Sequence, residues 1–446
     1  MTADLTRGPV AAHLRRQGLP FSLGLVAIFS FEAVDMFFIG QLGDTSLAAI
    51  GFTLPVIWLI YGVDIGFEAG AASCISRAVG KNQRSLARRL TTDTAILATL
   101  AALVLCMIGL ATIEPVFALL GAPNKLMPQI TAYMKVWYWV APINAALWTC
   151  LASIRARGNA LLESKIITAA ALLNLVLDPL FIFGWFGFPR LEIQGAAVAT
   201  LTSALLILVF TIWHLYRHLD VFASVMAPIK DILDSWKHML AIGIPAIITN
   251  AIIPVSSGIV VALVAGFGVD AVAGYGIAMR LEPVALIPFY ALSAVSSPFF
   301  GQNFGARRFD RLFEAHRVIM VFCLGLGLVL AVIMSVFAIP LASLFTDSAT
   351  IRAVTANYIW IVSWSWGAYG IVMSVNASFN GSGRPLPSVL ISSARVIFVF
   401  LPLAFIARAL LGLNGLFTAT SLANLTVGLL GLVWLRRHIR TSSLSG

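Results

Sequence analysis

The stretch that decides the fold runs from Thr92 to Leu119, TDTAILATLAALVLCMIGLATIEPVFAL. Between Asp93 and Glu114 it holds twenty consecutive residues with no charged side chain. A helix of that length is about 30 Å long, the thickness of a bilayer's hydrocarbon core. Only helices and closed barrels satisfy every backbone polar group in lipid, and the run lacks the alternation of a barrel strand. Similar apolar runs lie near 20–40, 46–76, 129–154, 164–185, 194–216, 240–265, 271–300, 316–344, 353–379, 388–410 and 414–435, making twelve with 92–119. The chain reads as an all-α polytopic membrane protein. Prolines deep in these runs, at Pro55, Pro142, Pro254, Pro288 and Pro402, are expected to kink them.

Composition agrees. Of 446 residues, 60% are hydrophobic and 11% charged, with a mean hydropathy of +0.95. A soluble domain carries about 25% charged residues, so both a soluble globule and a disordered chain are excluded. The net charge of +10 is read as cytoplasmic loop charge; no nucleic-acid partner is expected. Cys74, Cys106, Cys150 and Cys323 lie in or beside apolar runs and show no CxxC spacing, so neither a disulfide framework nor a cysteine metal site is expected. The polar start, Met1 to Gly18, is followed by no small-residue cleavage site, so the first run reads as a retained span.

Basic residues set the orientation. One side holds Arg77, Lys81, Arg84, Arg88 and Arg89, then Arg155, Arg157 and Lys165, then Arg217, Lys230 and Lys237. It continues through Arg307, Arg308, Arg311 and Arg317, then Arg384 and Arg395, to Arg436, Arg437 and Arg440. The other side has only Lys125, Arg190, Arg352 and Arg408. By the positive-inside rule both termini are cytoplasmic, which requires an even number of spans. The expected location is the cytoplasmic (inner) membrane of a bacterium.

Shifting the chain by 225 residues lays it on itself. Gly18 and Pro20 meet Gly243 and Pro245; Gly43, Ala48 and Gly51 meet Gly268, Ala273 and Gly276. Gly80 meets Gly305, Pro115 meets Pro340, Tyr133 meets Tyr358 and Gly158 meets Gly383. Near the end the offset falls to 220, where Gly195, Ala199 and Thr200 meet Gly415, Ala419 and Thr420. The expected organisation is an N-lobe over 1–217, a polar cytoplasmic linker over 218–239 and a C-lobe over 240–446. With six spans per half, the repeats are parallel, about an axis along the membrane normal. That favours a secondary transporter with two lobes around a cavity. No Walker A sequence, nucleophile–base pair or metal motif occurs, so no enzymatic activity and no cofactor are expected.

The halves differ where it matters chemically. Asp35 meets Val260, while Asn174 and Asp178 meet Val399 and Leu403. A carboxylate deep in a span is costly and therefore a functional candidate. Asn174 and Asp178, four apart, share a helix face. With Asp35 they offer hard oxygens for a proton or a small cation such as Na⁺. Glu32, Tyr61, Asp64 and Glu68 are candidates for lining a substrate cavity; Asp64 and Glu68 meet Phe289 and Ser293. Arg280 and Glu282 are expected to be structural, paired with each other or with nearby groups. The only cationic residues read as lying within spans are Lys135 and Arg280. The aromatic sets Trp137, Tyr138, Trp139 and Trp360, Trp364, Trp366 read as belt, packing or stacking residues.

The motif DMFFIGQLGDTSLAAIG, Asp35 to Gly51, resembles the end of the first span in the multidrug and toxic compound extrusion (MATE) family. Ser76 to Gly80, SRAVG, and Gly301 to Gly305, GQNFG, resemble its paired motifs after the second and eighth spans. NLVLDP from Asn174 and GAAVAT from Gly195 resemble its fifth and sixth spans. The resemblance covers about residues 15–435 and is to the DNA-damage-inducible-F-like (DinF-like) subgroup. It implies a monomeric, twelve-helix, two-lobed antiporter that exports amphipathic, often cationic, drug-like compounds in exchange for H⁺ or Na⁺. It also implies that Asp35, Asn174, Asp178 and Thr200 line the coupling site, with the Ala196 backbone close by. These are the metal ligands if Na⁺ is the coupling ion. The stretches Thr249–Gly266 and Ile359–Asn380 hold no Asp or Glu, so the C-lobe cation site of another subgroup is not expected. The alternative, a flippase for a lipid-linked oligosaccharide or other lipid, is expected to line its cavity with cations for pyrophosphate.

Overall fold

The computed structural model describes residues 4–444, apart from the side chain at 253; Met1–Ala3 and the last two residues lie outside this description. Nine of its helical spans are continuous and long and apolar enough to cross a membrane. They are α1 (Val10–Gly40), α2 (Asp44–Gly80), α3 (Arg84–Ala111), α5 (Ala160–Phe183), α6 (Ile193–Leu219), α7 (Ile229–Ala265), α9 (Phe309–Ser343), α11 (Leu386–Leu411) and α12 (Leu413–Leu444). A tenth, α8, is a pair, Val269–Ala285 and Ile287–Gly305, bent by 49°. The other two are broken: α4 (Met127–Trp137 and Val140–Ala156) and α10 (Ala349–Val362 and Trp366–Gly381). With these the spans number twelve, in two lobes of six.

The breaks have local causes. Pro142 lacks the N–H that would bond to the Tyr138 carbonyl, and α4 breaks at Tyr138–Trp139. Pro288 follows the break at Leu286, and Pro402 follows a π-helical turn over Ala394–Phe400 in α11. In α10 the break is a 3₁₀ turn over Ser363–Ser365, where the Ser365 hydroxyl donates to the Val362 carbonyl at 2.8 Å. The elements containing Pro55 and Pro254 run on without interruption.

The contacts divide the chain into two compact units: Leu23–Ile247 and, together, Asp4–Ser22 with Ile248–Gly446. The linear cut at 217 and 240 therefore is not the cut in space. Asp4–Ser22 belong to the C-terminal unit, while the 218–239 segment and the first part of α7 belong to the N-terminal unit. The two switch points lie 225 residues apart, the offset of the sequence repeat. Within the N-terminal unit, α7 lies on α2 at a close crossing. A Cβ built on Gly66 would sit 2.9 Å from the Ile247 backbone nitrogen, and one on Gly70 2.8 Å from the Met239 carbonyl. Small residues permit such backbone approach in membrane helices. The repeat is equally plain in the turns. Gly43 and Gly268, before α2 and α8, have φ of 106° and 104°, and Gly158 and Gly383 both have φ of 79°. These left-handed values explain why glycine occupies both copies.

Some basic residues are not where a loop count places them. Asp220–Pro228 is non-helical and lies against α3: Arg88 donates to the Phe222 carbonyl at 2.9 and 2.7 Å, and Arg89 to that of Ser224 at 2.6 Å. The helix α7 then starts at Ile229, inside the expected linker. Arg155, in the last turn of α4, is buried at 3% exposure. Arg395 lies in the π-helical turn of α11, about 14 Å along the helix from Leu386. Lys135 and Arg280 are thus not the only cations within spans. The four cysteines are buried and free.

Candidate cation site in the N-terminal unit

Glu32 and Asp35, three apart on α1, share a face. Asn174 and Asp178 do so on α5, where both are buried, at 4% and 0% exposure. The Asn174 amide Nδ2 donates to Asp178 Oδ1 at 3.1 Å. Asp178 Oδ2 and Asp35 Oδ1 are buried and accept no hydrogen bond among the described residues. The two carboxylates are near enough to repel each other, and Glu32 acts on Asp35 in the same way. The fold therefore brings Asp35, Asn174 and Asp178 together.

Two tyrosines close this group. Tyr61 on α2 lies within electrostatic reach of Glu32, Asp35 and Asp64, with its ring edge-on to Trp137 at 5.8 Å. Tyr133 on α4, buried at 6% exposure, lies within reach of both Asp35 and Asp178. Tyr133 is a residue the asymmetry of the halves could not flag, because its repeat mate is also a tyrosine, Tyr358. Its proximity to the carboxylates becomes visible only when α4 is packed against α1 and α5.

Thr200 and Ala196 lie one turn apart on α6. The Thr200 hydroxyl donates to the Ala196 carbonyl at 3.0 Å and, among the described residues, bonds to none of Asp35, Asn174 and Asp178. The start of α6 is tied to the end of α5 one turn beyond Asp178. The Leu191 N–H donates to the Phe181 carbonyl at 3.0 Å, and that of Glu192 to Ile182 at 3.2 Å. A Cβ on Gly195 would fall 2.3 Å from the Phe181 oxygen. Gly195→Ala must push the two helices apart, and a loss of about 1–3 kcal/mol is expected for such overpacking. The thermal unfolding midpoint of the purified variant checks this; an unchanged midpoint would show that α6 slides freely.

The Asp64 and Glu68 pair separates on inspection. Asp64 is buried at 4% exposure, and neither of its oxygens has a hydrogen-bond partner among the described residues. Glu68 instead accepts from Arg155, which also binds Glu163. Glu163 is fully buried in the first turn of α5. This charge cluster joins α2, α4 and α5. Arg280 and Glu282 do not pair: Arg280 is exposed, and Glu282 accepts from the Tyr358 hydroxyl.

A buried carboxylate oxygen without a donor is tolerated when it carries a proton or meets a cation. Asp35 and Asp178 supply two such oxygens in one place. Among the described residues, no three His, Cys, Asp or Glu side chains form a metal-binding group.

The MatE family model matches the chain twice, over residues 20–180 and 245–406. The two matches start 225 residues apart, as the repeat does. A "FAD transporter" of Shewanella oneidensis is 35% identical over 425 residues, covering 95% of this chain and 94% of that protein. The "multidrug export protein MepA" of Staphylococcus aureus is 26% identical over 415 residues, covering 92% and 90%. The Vibrio cholerae MATE transporter VcmN, solved in its bent form, superposes with a TM-score of 0.92 at 29% identity, covering 97% of this chain and 98% of that one. With the repeated helices, the two units and these likenesses together, the chain belongs to the MatE family: it is a membrane transport protein and not an enzyme.

Proposed function

We propose that this protein is a secondary active exporter that exchanges amphipathic, often cationic, drug-like compounds for H⁺ by alternating access. It acts as a monomer in the bacterial cytoplasmic membrane with both termini in the cytoplasm. The observation that carries the reading is the meeting of Asp35 and Asp178, each with a buried oxygen lacking a donor, in one lobe. Exchange requires that ion and compound favour different states. Adding a proton to this pair removes charge repulsion between α1 and α5, which gives the ion a state to favour.

The choice of H⁺ over Na⁺ follows from the donors. Na⁺ requires several converging oxygens. The Asn174 amide turns Nδ2, a donor, toward Asp178, and the Thr200 hydroxyl bonds within its own helix and not to the carboxylates. A proton needs neither to move. In liposomes containing purified protein, a pH gradient alone is expected to drive export of ethidium, and a Na⁺ gradient with pH clamped is not. Transport driven by Na⁺ and indifferent to pH would overturn the choice of ion.

A second substrate reading has its own support. The FAD transporter of Shewanella oneidensis is 35% identical over nearly the whole of both chains, against 26% for the multidrug export protein above. A flavin dinucleotide carries flat rings and an anionic pyrophosphate, so a cation within the spans suits it. Arg395 is such a cation.

A further inference from the structure

The C-terminal unit holds a second polar group, at the two irregular turns of its spans. Arg395 occupies the π-helical turn of α11, a feature that recurs at functional sites. Its guanidinium lies 4.8 Å from the centre of the Tyr369 ring, and its Nη1 donates to Asn424 Oδ1 at 3.2 Å. Asn424 is held in turn, donating from Nδ2 to the Ser365 hydroxyl at 3.0 Å, in the 3₁₀ turn of α10. Glu282 on α8, within electrostatic reach of Arg395, accepts from Tyr358. Tyr290, also on α8, lies within electrostatic reach of Tyr369, Glu282 and Arg395.

Two opposite charges in the low-dielectric interior of one lobe attract strongly. Yet Glu282 and Arg395, though within electrostatic reach, form no ion pair. Tyr358 holds the carboxylate on one side, and Tyr369 with Asn424 holds the guanidinium on the other. Arg395 keeps its Nε and Nη2 donors without a protein acceptor among the described residues. Arg395, Tyr369, Tyr290 and Glu282 are each partly exposed, whereas Tyr358 and Asn424 are buried. Charged groups in a span rarely face lipid, so the exposed parts of Arg395 and Glu282 are expected to turn to a polar space. In the other half the positions of Arg395 and Glu282 carry Ala170 and Ile57, so the fold itself does not require the charges.

We propose that Arg395, Tyr369 and Tyr290, with Glu282 held aside by Tyr358, form a recognition subsite for a planar aromatic compound that carries a negative charge. The guanidinium fork binds the anionic group while rings and guanidinium offer flat faces for stacking. The subsite deepens the second substrate reading and rests on it for its use in transport, though its test does not.

The test measures binding to the purified full-length protein with no ion gradient. The probes are FAD (planar, anionic), lumiflavin (planar, uncharged) and ethidium (planar, cationic). Arg395→Gln is expected to weaken FAD binding about tenfold or more, the worth of a charge-assisted hydrogen bond, and to leave lumiflavin within about twofold. Tyr369→Leu is expected to weaken both flavins. Equal FAD affinity in wild type and Arg395→Gln would overturn the proposal, as would a parallel loss of all three probes. Should Arg395→Gln not fold, Asn424→Asp carries the test, since its carboxylate would occupy the guanidinium; unchanged FAD affinity there overturns the proposal too. Arg395-dependent FAD binding without ion-driven transport would leave the subsite standing and remove the antiport reading.

Discussion

Asp35→Asn is expected to reduce ion-driven export to the leak of empty liposomes while the protein still inserts and folds. The substitution keeps the shape of the side chain and removes its ability to carry a proton or a full negative charge. It also relieves the repulsion from Asp178 and Glu32, so stability should not fall. Asp178→Asn should act nearly as strongly, because it breaks the same pair. Val260→Asn, at the repeat mate of Asp35, should be mild: it adds a neutral polar group to a position, 8% exposed, that serves no ion. The readout is dye efflux driven by a pH gradient, with the thermal midpoint as the folding control. Wild-type export by Asp35→Asn would remove this site from coupling.

The second large effect is on stability. Arg155 binds both Glu68 and Glu163, and Glu163 is fully buried. Arg155→Leu would leave two carboxylates facing each other inside the N-terminal unit without their cation. Breaking a buried ion pair from one side typically costs about 3–5 kcal/mol. The variant is expected to aggregate or to melt far below wild type in detergent. Adding Glu68→Gln and Glu163→Gln should recover much of the loss, because the residual charges go with the cation. If Arg155→Leu melts like wild type, the cluster does not hold α2, α4 and α5 together. The pair of large effects separates two kinds of buried carboxylate. On the proposed reading, those with a cation hold the lobe together and those without one exchange an ion.

What the sequence alone could determine follows from the bilayer. A span needs an apolar run of fixed length, and length and hydropathy are properties of the chain, so the membrane class and the twelve runs are legible in one dimension. The repeat is legible because glycines at positive φ, such as Gly43 with Gly268, cannot be replaced without strain. Asp35, Asn174 and Asp178 are legible because a charge in lipid is costly and their repeat mates show that the fold does without it. Tertiary structure alone decided the rest, because hydropathy does not say which way a side chain points or what lies across from it. Tyr133 reads as a conserved-looking aromatic of both halves until α4 packs beside α1 and α5. Glu68 reads like Asp64 until Arg155 reaches one of them and not the other. Arg155 reads as a loop charge because it follows an apolar run, and Arg395 because it falls in the first part of one; only the path of α4 and α11 takes them inside. The switch points after Ser22 and Ile247 lie two residues beyond Pro20 and Pro245 yet within continuous helices, so the local sequence there reads as a position inside a span and not as a boundary between units.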